Sequence, residues 1–236
     1  MGRVGPELPP LAVTIGVDVG KLRDPTALVI TEETPGDIHV VRYLSRLPLG
    51  TSYPQVAERL AGAYRNTCGI LAGQLEVYDQ HDRIISGRIS TTLEPCHESW
   101  EPKAQDYVWV MVDATGCGLP VVDFLRERSG IPADHLTAVM LTSGEHSTVR
   151  RGAREGSCSK SHMVSRLQTL LGDERLKLPN TDEAKALAGE LEDFEMQISE
   201  SANVSYNARP GSHDDLITAL ALSVLVERGR WESGVI

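Results

Sequence analysis

The chain has 236 residues, 41% of them hydrophobic, enough for one large α/β domain or two small ones with a real core. A net charge of -10 excludes a protein that coats nucleic acid through a uniformly basic surface, but it leaves local DNA contact open. Cys68, Cys96, Cys117 and Cys158 lie far apart with no C-x-x-C pair, which excludes a zinc ribbon or a disulfide framework; with no signal-like or membrane-length apolar run, a reduced, cytoplasmic protein is expected.

Residues 1–10 read as a flexible lead-in. Residues 11–19 (LAVTIGVDV) predict a strand that ends in Asp18, followed by Gly20. After the turn KLRDP, where Asp24 before Pro25 reads as a turn residue, TALVIT and IHVVRYLSRL predict two more strands. Their short links imply antiparallel pairing, hence a three-strand meander. Residues 52–65 (SYPQVAERLAGAYR) predict an amphipathic helix with Val56, Leu60 and Tyr64 on one stripe. Residues 66–106 are glycine- and proline-interrupted and read as an insertion; ISGRIS within it has the look of a short strand or hairpin. Cys68, His81, Cys96 and His97 fit no structural-zinc spacing.

The most informative stretch is residues 107–125, YVWVMVDATGCGLPVVDFL. A continuous apolar run predicts a strand buried on both faces, ending at Asp113. A small turn follows, and then Leu119, Val122 and Leu125 recur at helical spacing up to Gly130. A carboxylate at the carboxyl end of such a strand sits where open α/β sheets place ligands. Burying it unpaired costs roughly several kcal/mol, so it needs turn amides or a metal ion as partner.

HLTAVMLT, residues 135–142, predicts a further strand, parallel to the last because a helix separates them. Residues 143–160 then turn basic, with Arg150, Arg151, Arg154 and Lys160 against Glu145 and Glu155 and only Val149 as a core residue. A loop of this length without a core reads as a DNA-phosphate contact or as a solvated hairpin. Residues 162–171 predict a helix with Met163, Leu167 and Leu170 inward; LKLP reads as a short edge strand. Thr181 caps a helix over 182–193 with Ala184, Leu187 and Leu191 as its apolar face, and FEMQI and NVSYN predict two short strands. Residues 212–228 predict a long helix striped by Leu216, Leu220 and Val224, opening on Ser212, His213, Asp214 and Asp215. Capping and the helix dipole would alone explain acids there, but they follow two earlier strand-end aspartates.

A strand ending in Asp18, a meander, a helix, a strand ending in Asp113 before T-G-x-G, a further strand and a final helix opened by HDD together resemble the ribonuclease-H-like nuclease domain of phage large terminases. The matching stretches are GVDVG with DPTALVI, VDATGCGLPVVDFL and SHDDLITALALS; SKSHMVSRLQTLL and LAGELEDFE fit the order more loosely. The resemblance covers residues 15–226. It implies an α/β fold: a ribonuclease-H-like mixed sheet, an antiparallel three-strand meander plus parallel strands, flanked by helices, spanning 11–236 with the insertion at 66–106. No G-x-x-x-x-G-K-[ST] match occurs, so the likeness extends to the nuclease domain and not to the packaging ATPase.

The resemblance further implies a metal-dependent endonuclease cutting double-stranded viral DNA with little sequence preference. Asp18, Asp113, Asp214 and Asp215 would be the catalytic metal ligands for two Mg²⁺ or Mn²⁺ ions, which such sites hold about 3.5–4 Å apart. Asp18 would bridge both, Asp113 would bind one, and Asp214 or Asp215 the other. Arg150, Arg151, Arg154 and Lys160 would contact DNA, with His162 and His213 as further phosphate partners. A separate packaging ATPase, a small terminase or a portal protein would be its partners, in the host cytoplasm and with no membrane contact. Other functions compatible with the same residues are a transposase or Holliday-junction resolvase, a sugar-kinase or actin-like ATPase, and a non-catalytic packaging or docking module.

Overall fold

The computed structural model describes residues 12–20, 24–71, 107–143, 147–198, 204–208 and 214–226. In chain order these form β1 (Ala12–Asp18), β2 (Ala27–Thr34), β3 (Ile38–Arg46), α1 (Tyr53–Leu71), β4 (Val108–Asp113), α2 (Gly118–Arg128), β5 (Leu136–Thr142) and β6 (Glu155–Ser159). Then come α3 (Lys160–Gly172), β7 (Leu176–Lys177), α4 (Asp182–Asp193), β8 (Phe194–Ile198), β9 (Val204–Ala208) and α5 (Asp215–Ser223). Seven strands make one mixed sheet in the order β6-β5-β4-β1-β2-β3-β7, and β8 and β9 form a separate antiparallel pair. The meander β1-β2-β3 is antiparallel, whereas β4, β5 and β6 run parallel to β1.

Alternation along the strands sorts their side chains onto two faces. Ile15, Val17, Val110 and Val112 pack with Val56 and Leu60 of α1 and Val122 and Leu125 of α2. Val29, Met111, Val139 and Cys158 pack on the other face with Leu167, Leu187, Leu216 and Leu220, from α3, α4 and α5. Gly16, between Ile15 and Val17, therefore belongs to the second face. A Cβ there would lie 2.0 Å from the Ala219 carbonyl oxygen and 2.6 Å from the Ser223 nitrogen. Only glycine lets α5 press its backbone onto β1 at this crossing. A buried hydrogen bond of 2.7 Å between the Thr31 and Ser223 hydroxyls ties the same helix to β2.

Several sequence expectations change. Helix α1 continues to Leu71 rather than stopping at Arg65, because Thr67 and Leu71 are buried and Thr67 Oγ1 bonds back to the Ala63 carbonyl (2.8 Å); packing overrides the weak helix formers Asn66 and Gly69. The expected insertion thus loses its first six residues to α1, and residues 72–106, with ISGRIS, His81, Cys96 and His97, lie outside the described residues. The basic stretch is not a coreless loop: it contains β6, whose Cys158 and Ser159 are buried, and Thr148 N–H donates to the Ser157 carbonyl at 2.8 Å alongside it. The final helix is short, ending at Ser223, and is buried on nearly every side rather than striped. Leu119, expected inward, is 43% exposed, since α2 buries Val121 with Val122 and Leu125 instead.

The lead-in 1–10 also lies outside the described residues. No described helix is long and apolar enough to cross a membrane.

Candidate metal centre

The parallel strands carry their carboxyl ends to one rim of the sheet. The pairing of β1 with β4 runs to Val17 opposite Val112, so Asp18 and Asp113 follow side by side on strands about 4.8 Å apart. Two residues beyond Gly16 and Met111 respectively, both aspartates project from the face that α5 covers. Helix α5 begins at that rim, with Asp214 as its N-cap residue and Asp215 as its first helical residue, 5% exposed. Thus three distant stretches deliver four carboxylates to one place.

The electrostatics follow from that convergence. Burial pushes the Asp18 carboxyl well above its ordinary value of 3.8; Asp113, Asp215 and Asp214 push it further, and Lys160 opposes them. Asp113 is likewise raised by burial, against the lowering effects of its Thr115 hydrogen bonds and of Lys160. Lys160 is the first residue of α3, behind the N-cap Ser159, whose hydroxyl accepts from His162 N–H at 3.1 Å. With Asp214, Leu141, Met163, Ile217 and Thr218, it lines a small open cleft between α3 and α5.

The turn after β4 is pinned to β5. Asp113 Oδ1 accepts from Thr115 N–H (2.7 Å), Thr115 Oγ1 accepts from Leu141 N–H (2.8 Å), and Ala114 N–H donates to the Val139 carbonyl (2.8 Å). The turn-amide partner expected for Asp113 is therefore present, on one of its two oxygens. Capping does not occupy Asp214, which makes no side-chain cap hydrogen bond.

Among the described residues no three His, Cys, Asp or Glu side chains stand close enough together to hold a metal ion as they are placed. The donor set nonetheless fits a hard divalent cation. Four aspartates supply only oxygen, the ligand Mg²⁺ and Mn²⁺ prefer, and a cation among them would offset the burial and the repulsion that raise Asp18.

Of the residues expected in the site, the structure brings together Asp18, Asp113, Asp214, Asp215 and Lys160. It does not bring Arg150, Arg151 or Arg154 there. Arg154 precedes Glu155, which pairs with Ala138 near the start of β5, and Arg151 is ion-paired at 2.5 Å with Glu33, opposite Ala12 at the start of β1. All three belong to the opposite rim, as does the turn in which Ala153 N–H reaches the Arg150 carbonyl. His162 is exposed, His213 lies outside the described residues, and Asp24 is an exposed turn residue whose carbonyl packs against Gly20. Reasoning from sequence missed Gly16, Thr115 and Cys117 as supports of the site. A lone glycine inside the β-branched run of β1 was the available signal for the first.

No family model matches the chain, and no curated protein sequence matches it significantly. Solved structures do. The large terminase nuclease of the thermophilic phage G20c with bound magnesium is 18% identical, over 96% of this chain and 90% of that one, at a TM-score of 0.55. The same nuclease with bound cobalt gives 17% identity, the same coverage and a TM-score of 0.55. The large terminase nuclease domain of Thermus phage P74-26 is 17% identical over 94% of this chain and 86% of that one, at 0.51. With its antiparallel meander, its parallel strands and its α5 crossing over β1, the chain has the ribonuclease-H-like fold of phage large terminase nuclease domains.

Proposed function

We propose that the chain is a metal-dependent endonuclease that cuts double-stranded DNA during phage genome packaging. The observation that carries this reading is the convergence of Asp18, Asp113, Asp214 and Asp215 on one rim, with Asp18 raised by its burial and then by the other three. Its likeness in fold to terminase nucleases, one solved with magnesium and with cobalt, supports it.

Asp18, on which the other three carboxyls act, would hold two divalent cations together with Asp113 and with Asp214 or Asp215. When bound, such ions activate a water and stabilise the charge of the leaving oxygen in phosphodiester hydrolysis. The protein's own groups do the rest. Thr115 N–H holds one oxygen of Asp113, which fixes how the carboxylate is presented. Lys160 supplies positive charge beside Asp18 and Asp113, which suits it to hold a scissile phosphate that four carboxylates would otherwise repel. Partners delivering DNA would be a packaging ATPase, a small terminase or a portal protein, in the host cytoplasm.

The test is cleavage of supercoiled and linear plasmid in Mg²⁺, Mn²⁺ or EDTA, comparing the parent with Asp113→Asn. Loss of a direct ligand should cost at least about a hundredfold in rate, the upper end of what loss of an outer-shell partner costs. A folded parent that binds Mn²⁺ yet never cuts would point instead to a packaging module that keeps the fold without turnover.

A further inference from the structure

Backbone pairing holds β1 and β4 in register only as far as Val17 and Val112, one residue short of the two aspartates. Beyond that point the ladder no longer fixes how far apart the two turns stand. One side chain bridges them: Cys117 Sγ donates to the Val19 carbonyl at 3.0 Å, linking the residue after Asp18 to the turn that follows Asp113. The Tyr53 side chain, at the start of α1, lies close to the same thiol. Next to it the chain folds so tightly that a Cβ on Gly118 would lie 1.7 Å from the Asp113 carbonyl oxygen and 3.7 Å from Val19 Cγ2. On its other flank the turn is anchored to β5 by Thr115. The turn after β4 is thus braced on both sides, by Thr115 towards β5 and by Cys117 towards β1.

We propose that Cys117 is a positioning residue of the metal centre, its thiol locking the turn after β4 to the turn after β1 and thereby setting the separation of Asp18 and Asp113. The inference rests on the reading of the four aspartates as metal ligands. Cys117 itself touches neither cation nor substrate; it acts through the two backbone segments that present the ligands. Serine keeps a donor at this position with a shorter reach, whereas alanine removes the donor and frees the turn.

The experiment is calorimetric titration of Mn²⁺ into the full chain, without DNA, for the parent, Cys117→Ala, Cys117→Ser and Val121→Ala. Val121 is fully buried on α2, so its truncation is a control for general destabilisation of the same helix. Cys117→Ala should weaken Mn²⁺ binding about tenfold, the low end for an outer-shell partner, while Cys117→Ser stays within about threefold of the parent. Val121→Ala should lower the melting temperature yet leave affinity within about twofold. Parent-like affinity in Cys117→Ala, or an equal loss in Val121→Ala, would overturn the inference and leave the metal centre standing. No Mn²⁺ binding by the parent would overturn the metal-centre reading itself.

Discussion

The two rims of the sheet handle buried charge in opposite ways. At the rim where β1 begins, acids meet arginines of the protein: Glu33 pairs with Arg151 and Glu32 with Arg42, each at 2.5 Å, and Asp37 pairs with Arg175. Arg166, itself buried, spans the same region, its guanidinium 3.1 Å from His39 Nε2 and 3.2 Å from the Val224 carbonyl. At the other rim Asp18 feels three carboxylates and one opposing cation, Lys160. Arg46, at that end of β3, is taken up by Glu183 and Glu190 of α4. Folding pairs the acids of one rim with arginines and leaves Asp18 at the other among three carboxyls with one opposing cation. The first arrangement stabilises the fold; the second suits a cation from solution.

The largest effect that separates the rims belongs to the paired one. Arg151→Ala would leave Glu33, 6% exposed, as a buried carboxylate without its cation. Removing one partner of such a pair costs about 3–5 kcal/mol. At about 2–4 °C per kcal/mol for a chain of this size, the melting temperature should fall by roughly 10 °C. Mn²⁺ affinity should stay as in the parent. A shift below about 2 °C would class the pair with weak surface bridges and erase much of the contrast.

Arg151 also shows where the sequence stopped being legible. Its partner lies 118 residues away, so nothing local distinguishes it from exposed Arg150 and Arg154, and all three read as one basic loop. The strand β6 was hidden for a related reason. EGSCS has no β-branched residue, and its strand conformation comes from pairing with β5 and from burying Cys158, both tertiary effects. Elements with strong local patterns were legible: the meander, β4 with Asp113, β5, and the helix capped by Thr181, whose hydroxyl does accept from Ala184 N–H. So was the convergence of Asp18 and Asp113, since adjacency in a parallel pair follows from topology. The bracing by Cys117 was not, because a thiol in a glycine turn reads as filler until its contact with Val19 is seen.

At the acidic rim the expected effect is smaller and opposite in sign. Because the Asp18 carboxyl is raised above its ordinary 3.8 in the folded state, the folded protein holds that proton more tightly than the unfolded chain. Its contribution to stability is therefore full at pH below the ordinary value and is lost as pH rises through the raised one. Asp113 shifts in the same direction. Asp18→Asn carries no charge, so in EDTA at neutral pH the variant should melt higher than the parent, by roughly 2–4 °C for each kcal/mol relieved. Its melting temperature should also depend less on pH across the window above 3.8, and Mn²⁺ should no longer stabilise it. Thermal melts across that window check this; parallel pH profiles would mean that Asp18 is already balanced within the fold.

The finest test asks which rim meets DNA. A strand as long as β1 spans about 23 Å, so the arginines stand roughly that far from the carboxylates. A duplex engaged at the acidic rim would meet Lys160 first. Removing one cation that neutralises a phosphate should lower the slope of log affinity against log salt by about 0.9. Lys160→Ala should therefore reduce the slope by about one ion, and Arg150→Ala combined with Arg154→Ala, both exposed in the parent, should leave it nearly unchanged. Binding measured over a salt series in Ca²⁺ would separate the two variants without cleavage. A fall of about two ions in the double variant would carry the duplex down to the far rim and restore the basic turn as a DNA-binding element. Arg151 would then stand apart from its neighbours in sequence, as the arginine held by Glu33 while the other two reach for phosphate.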